Sequence, residues 1–225
     1  MQYFVSENQL FFEKELLSQT RLSIEDSLNI IKTWEYIQFD LETSGNDAHI
    51  SDILIMSFSN IDKKMQIMVD CTTVDPKLYK SILEDPNKLI IGQNLKFDFQ
   101  FLYKHKITPI NCYDTMIVEQ FLHLGYPYFL VGVPEHYIEE YCEFIESYPG
   151  FEDLKPDVKK EVLFINIPEA AKYIYEHSGS SLKALAWRYC NIYLDKTVRG
   201  EINWRGIDDV VLNYAAGDVT WWYDI

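Results

Sequence analysis

Apolar residues along this chain fall first in short runs and then at helical spacing. From Trp34 the pattern reads strand, turn, strand, turn, strand: Tyr36-Ile37-Gln38-Phe39 runs into Asp40, Ile53-Leu54-Ile55-Met56-Ser57-Phe58 follows, and Met65-Gln66-Ile67-Met68-Val69 comes third. Short runs rich in Ile, Val and aromatics, separated by turn chemistry such as Ser44-Gly45-Asn46-Asp47, predict three strands. Helical patterns then join them. A helix is predicted over Pro76–Leu83, closed by Pro86-Asn87, and Lys88-Leu89-Ile90-Ile91-Gly92 is a short buried strand. Leu95, Phe99, Leu102 and Tyr103 fall on one helical face. A strand near Ile110–Tyr113 and a helix from Asp114 to about His123 complete the series. Three strands followed by alternating helix and strand predict an α/β fold, a mixed sheet with helices packed on it.

Two segments lie outside that pattern. Ser23-Ile24-Glu25-Asp26 has the form of a capping box opening a helix over Ile24–Lys32. Residues 1–20 predict a strand and helix of their own, so residues 1–33 stand as an N-terminal extension to a domain over 34–225. Residues 125–179 read as helices interrupted by Pro127, Pro134, Pro149, Pro156 and Pro168. Here Tyr137, Tyr141, Ile145 and Tyr148 share one helical face, and Ala171, Ile174 and Tyr175 another. Such stripes either pack as core or stack unpaired bases as a substrate-facing flap. Helical spacing of aromatics is what a core face requires, which favours packing.

Composition narrows the function. At 225 residues and 48% apolar content the chain suits one domain with an ordinary core. No apolar run reaches the length of a membrane span, and the first residues lack a secretory pattern. Cys71, Cys112, Cys142 and Cys190 form no CxxC pair, which fits reduced thiols in a cytoplasmic protein. The five histidines show no ligand spacing, so structural zinc has no support. A net charge of −15 argues against strong binding through phosphate contacts alone. Bound metals or a neighbouring basic domain would reverse the local field.

The chemistry sits in three segments: Phe39-Asp40-Leu41-Glu42-Thr43, Gly92-Gln93-Asn94-Leu95-Lys96-Phe97-Asp98 and Tyr214-Ala215-Ala216-Gly217-Asp218. Together they offer four carboxylates and a phenol, an oxygen-only set suited to Mg²⁺ or Mn²⁺. Asp40 and Glu42, two apart on a strand, share a face. Tyr214 and Asp218, four apart on a helix, share another. A pair of such ions can hold the attacking and leaving oxygens of phosphodiester hydrolysis.

In this order and context the segments resemble the motifs of the DEDD superfamily of 3′→5′ exonucleases. The tyrosine is similar to the DEDDy branch, which holds the proofreading domains of family A DNA polymerases and ribonuclease D. The other branch would place a histidine where Asn213 stands. Cys112-Tyr113-Asp114-Thr115-Met116 resembles the family's Asp-Thr junction, and Ser181–Leu185 and Leu194-Asp195-Lys196 its segments before the third motif. The resemblance implies a ribonuclease H-like, five-stranded mixed sheet flanked by helices. It implies two Mg²⁺ or Mn²⁺ ions held by Asp40, Glu42, Asp98 and Asp218. Tyr214 would orient the attacking water, since a phenol of pKa about 10 is a poor base at neutral pH.

Candidate substrate contacts are Thr43, Gln93, Asn94, Lys196 and Arg199, with Arg205 beside the last two. Gln93 and Asn94 could instead cap the helix carrying Asp98, and Asp114 is expected as a structural cap. The expected partner is a single-stranded or frayed DNA 3′ end, with a polymerase domain following in the same protein or supplied by another. That expectation rests on a helix after Asp218 that should continue past Ile225. RNA trimming as in ribonuclease D is the alternative, and an exonuclease fold that only binds is the non-enzymatic one.

Overall fold

The computed structural model describes residues 1–9, 11, 17–195 and 197–225. They form two compact units, Met1–Thr115 with Leu194–Ile225 and Met116–Tyr193.

The first unit is built on a sheet. Its elements are β1 Gln2–Val5, β2 Thr20–Arg21, α1 Ile24–Lys32, β3 Tyr36–Thr43, β4 Ile53–Asn60, β5 Gln66–Asp70, α2 Lys80–Leu83, β6 Leu89–Gly92, α3 Leu95–Lys104 and β7 Cys112–Asp114. Ser23 caps α1, accepting the Asp26 N–H at 3.0 Å. The described strands run β2-β1-β5-β4-β3-β6-β7, with β3–β4 and β4–β5 antiparallel and the rest parallel. The five predicted strands are the block from β5 to β7. Two more correct the expected count of five: β1 pairs along the outer side of β5, from Gln2 opposite Gln66 to Val5 opposite Val69. Phe4 and Val5 are buried there, so the start of the chain belongs to the sheet and covers an edge that would otherwise be open. Four residues are too few to show a period. The helix expected within residues 1–20 falls largely outside the described residues.

The alternation of β3 separates two faces. Phe39 and Leu41 lie opposite Phe58 and Met56, in a core with Ile37, Tyr79, Phe101 and Leu102. Phe58 stacks on Tyr79 at 5.3 Å between centroids, an arrangement that adds to the gain from burial alone. Gln38, Asp40 and Glu42 point to the other face, opposite Ser59, Ser57 and Ile55.

The second unit is helical. α4 (Thr115–Leu122) leads into it, followed by α5 Glu135–Ser147, α6 Pro156–Asn166, α7 Pro168–His177 and α8 Leu182–Cys190. Pro156 and Pro168 stand in the first turns of their helices, where a missing N–H costs nothing. Tyr141, Phe151, Leu163, Ala171 and Ile174 are buried together with Tyr137 and Ile145 against them. The aromatic stripes therefore pack as core, with Tyr148 and Tyr175 left 36% and 43% exposed. A buried ion pair ties this unit together: Arg188 donates to Glu119 at 2.6 Å and to the Gly179 carbonyl at 2.9 Å.

The chain then returns to the sheet. α9 (Ile202–Arg205) precedes α10 (Asp209–Asp218), whose cap Asp208 accepts the Val211 N–H at 2.9 Å. Val211, Leu212, Ala215 and Ala216 pack on Phe4, Ile55 and Met68, the Gln38–Glu42 face of the sheet. Full burial of one such leucine or methionine contributes about 1.5–3 kcal/mol. The continuing helix expected after Asp218 is not there. The Thr220 hydroxyl donates to the Ala216 carbonyl at 2.7 Å, the chain turns, and Trp222 is buried. The Tyr223 N–H then donates to Gln38 Oε1 at 3.0 Å.

Candidate active site

The site grows from one discontinuity in the sheet. β6 pairs with β3 only from Tyr36 to Gln38, then leaves through Gly92 into α3. A Cβ on Gly92 would stand 3.0 Å from the Phe39 carbonyl oxygen, so glycine permits that close departure. Beyond it the edge of β3 is open, and Asp98 takes the place of a strand, accepting the Leu41 N–H at 3.2 Å.

Asp98 is held there by the start of α3. Asn94 adopts a left-handed conformation, φ +58°, which asparagine tolerates, and its side chain makes no cap. The cap comes from β7: Asp114 accepts the Asn94 N–H at 2.9 Å and the Leu95 N–H at 2.8 Å, one on each oxygen. The expected structural role of Asp114 is thus met on α3. The Thr115 hydroxyl donates to the Gly92 carbonyl at 3.2 Å and to Gln93 Oε1. The Asn94 side chain makes no cap, so that alternative is corrected for Asn94.

Asp40 and Glu42 project from β3 towards α10, which supplies Tyr214 and Asp218 one turn apart. One carboxylate oxygen from each of Asp40, Glu42 and Asp218 lies within 4.8 Å of the others. Glu42 and Asp218 are buried and Asp40 is half-buried. Three carboxylates this close repel one another, and an all-oxygen set of this kind suits a hard divalent cation. The residues present therefore fit the metal that the fold implies.

Asp98 stands outside that group of three. Burial, then the neighbouring Asp40 carboxylate, raise its pKa well above the usual carboxylate range. The Tyr214 hydroxyl donates to Asp218. Burial first, then the charges of Asp218 and Glu42, push its phenol far above the ordinary range, so Tyr214 keeps its proton as a donor.

The substrate candidates are more scattered. The Thr43 hydroxyl donates to the Gly45 carbonyl at 2.8 Å. Asn94 and Arg199 are exposed and Gln93 is half-buried. Lys196 lies outside the described residues. Arg205 is engaged by Glu201 at 2.8 Å and Asp208 at 2.6 Å, which neutralises the third member of the expected basic cluster. Sequence reasoning missed Gln38 and Ser57, both fully buried beside Asp40. Their signal was polarity inside otherwise apolar strands.

Among the described residues no helix is long and apolar enough to cross a membrane. Comparison with known proteins accords with this architecture. DNA polymerase I of Borreliella burgdorferi is 32% identical over 108 residues, 44% of this chain but 12% of that protein. The catalytic core of RRP6 from Trypanosoma brucei superposes with a TM-score of 0.59 at 16% identity, covering 99% of this chain and 45% of that one. Escherichia coli RNase D gives 0.55 at 17% identity, covering 88% and 38%. Brucella melitensis NrnC with bound Mg²⁺ gives 0.54 at 12%, covering 99% and 76%. The chain thus spans an eighth to under half the length of the first three. A family model described as 3′-5′ exonuclease matches residues 18–144, more than half of the chain and both of the first two carboxylate motifs. On that match, and on a sheet that brings the third motif to the first, the chain belongs to the 3′-5′ exonuclease family of the DNA polymerase A type.

Proposed function

We propose that this chain removes nucleotides from the 3′ end of DNA by metal-dependent phosphodiester hydrolysis, releasing nucleoside 5′-monophosphates. The observation that carries the reading is the convergence of Asp40, Glu42 and Asp218 within 4.8 Å on one face of the sheet, with Tyr214 one turn away. Asp40, Glu42 and Asp218 would hold one Mg²⁺ or Mn²⁺, and Asp40 with Asp98 a second. When bound, such ions stabilise the charge on the attacking and leaving oxygens. Asp98 keeps the open edge of β3 in place through the Leu41 N–H, and so fixes Asp40 beside it. Tyr214 keeps its proton on Oη, where the hydroxyl donates a hydrogen bond to Asp218, and it has a lone pair left to accept from and orient the attacking water. Thr43, Gln93, Asn94, Lys196 and Arg199 are the candidates for the terminal nucleotide.

DNA is favoured by the 32% identity to a DNA polymerase I over 108 residues, against 17% to the exoribonuclease RNase D over 88% of this chain. RNA trimming is the second reading, supported by the superposition on RNase D. A proofreading setting follows from the acidic balance. With a net charge of −15 the chain itself offers little to a phosphate backbone, and a basic polymerase domain or partner would supply that surface. A strand end must fray to reach a recessed site, which favours mismatched ends.

The test is degradation of 5′-labelled matched DNA, 3′-mismatched DNA and RNA with Mn²⁺, beside Asp40→Ala and Asp218→Ala. The expected result is a ladder shortening from the 3′ end, fastest on mismatched DNA and absent from both variants. Faster trimming of RNA would overturn the choice of substrate. Substantial activity in either variant would overturn the site.

A further inference from the structure

Ser57 on β4 stands directly opposite Asp40 in the β3–β4 pair. Directly opposed residues share a face, with Cβ atoms about 4.5–5.5 Å apart. Ser57 is completely buried, and its hydroxyl has no hydrogen-bond partner. A buried polar group without a partner is uncommon enough to need a reason.

Its surroundings leave few candidates. On the same face, Phe4, Ile55, Met68, Leu212, Ala215 and Ala216 form an apolar cluster and offer no side-chain oxygen or nitrogen. The neighbouring polar groups are committed. Ser59 donates to the Asn60 carbonyl, and Gln38 donates to that carbonyl and accepts from Tyr223. Two residues are directly opposed to Ser57: Met68, whose thioether is a weak acceptor, and Asp40, whose carboxylate has lone pairs for several donors at once. One staggered rotation about χ1 carries the serine hydroxyl between its allowed positions.

We infer that Ser57 is a positioning residue for Asp40: its hydroxyl donates to the Asp40 carboxylate when that carboxylate turns to hold a cation, and so fixes the ligand's orientation. The inference rests on the metal reading given above. Carboxylate ligands are commonly held in this way by outer hydrogen bonds, and loss of such a bond lowers metal affinity by about 10- to 100-fold. The opposing reading is that Ser57 is merely small, letting α10 approach the sheet. Alanine would serve that purpose equally well.

The experiment is Mn²⁺ titration of the whole chain, with free Mn²⁺ read by electron paramagnetic resonance and thermal midpoints measured without metal. The proteins are wild type, Ser57→Ala, Ser57→Thr and Ser59→Ala. Ser57→Ala is expected to bind Mn²⁺ at least about tenfold more weakly, with a metal-free midpoint unchanged or raised. Ser57→Thr restores affinity and Ser59→Ala leaves it alone. Equal affinity in wild type and Ser57→Ala overturns the inference. So does a lowered metal-free midpoint in Ser57→Ala, because the hydroxyl would then be bonded independently of the cation. Failure of wild type to bind Mn²⁺ would sink the metal reading, and the role of Ser57 with it. Binding by wild type with no effect at Ser57 would sink only the role of Ser57.

Discussion

Replacing Asp114 by alanine should loosen the helix that carries Asp98. The Asp114 carboxylate accepts two backbone N–H groups, from Asn94 at 2.9 Å and Leu95 at 2.8 Å. A hydrogen bond to a charged group contributes about 1.5–3 kcal/mol. Removal of a whole cap costs about 0.5–2 kcal/mol. Asp114 is half-buried, so water can replace part of what is lost. A total of about 2–3 kcal/mol follows for Asp114→Ala. At about 2–4 °C per kcal/mol for a chain of this size, the thermal midpoint should fall by about 4–12 °C. Asp114→Asn keeps one acceptor oxygen and should lose about half as much. Circular dichroism melts of the three proteins measure this. Under the proposed function, single-turnover cleavage by the folded variants should fall in the same order, since Asp98 moves with α3. A midpoint for Asp114→Ala within about 1 °C of wild type, or equal losses for Asn and Ala, would refute the reasoning.

Asp218→Asn should raise the metal-free melting midpoint. It removes one charge from a cluster in which like charges 5 Å apart cost about 3 kcal/mol at an effective dielectric of 20. A lowered midpoint would contradict that crowding. In the helical unit, Glu119→Ala should cost about 3–5 kcal/mol by leaving the Arg188 guanidinium buried without its 2.6 Å partner. The double variant with Arg188→Met should be less damaging, as read by urea unfolding followed by circular dichroism; a milder effect in the single variant would dismiss the pair as a structural hub. His177 stacks on Trp187 at 4.0 Å, and burial lowers its pKa below 6.5. The unfolded chain therefore binds this proton more readily, and the contribution of His177 to stability, full above pH 6.5, is lost as pH falls through its folded pKa. An NMR titration midpoint at or above 6.5 for this imidazole would reverse the sign.

What the sequence made legible was the part encoded over short distances. Short apolar runs between turn residues placed β3, β4 and β5, which are buried on both faces, and helical spacing placed α3. The motif carboxylates were legible for a related reason. Asp40 and Glu42 are fixed by strand alternation, and Tyr214 and Asp218 by one helical turn. Two expectations failed where long-range contacts decide. The described sheet has seven strands where five were expected, because β5 offers β1 an edge. α10 stops at Asp218 because Gln38 and the core beneath Trp222 draw the chain back to the sheet.

What the supporting layer acts on was not legible, and the reason is physical. Asp114 acts on a helix about twenty residues before it, and Ser57 faces Asp40 across a strand pair, so no local pattern names the partner of either one. The place of Asp114 follows from a single event, the departure of β6 from β3 after Gln38. That departure opens the edge of β3 and leaves the Leu41 N–H to be met by Asp98, which brings a fourth carboxylate beside Asp40. The same turn sends the chain into α3, whose first amides need the cap that β7 provides. A strand that continued beside β3 would satisfy Leu41 with a carbonyl and exclude Asp98 from the site. Asp98 can therefore join the other carboxylates only where the sheet is incomplete, and the incompleteness is set by Gly92 and the left-handed turn at Asn94 rather than by the acidic residues themselves.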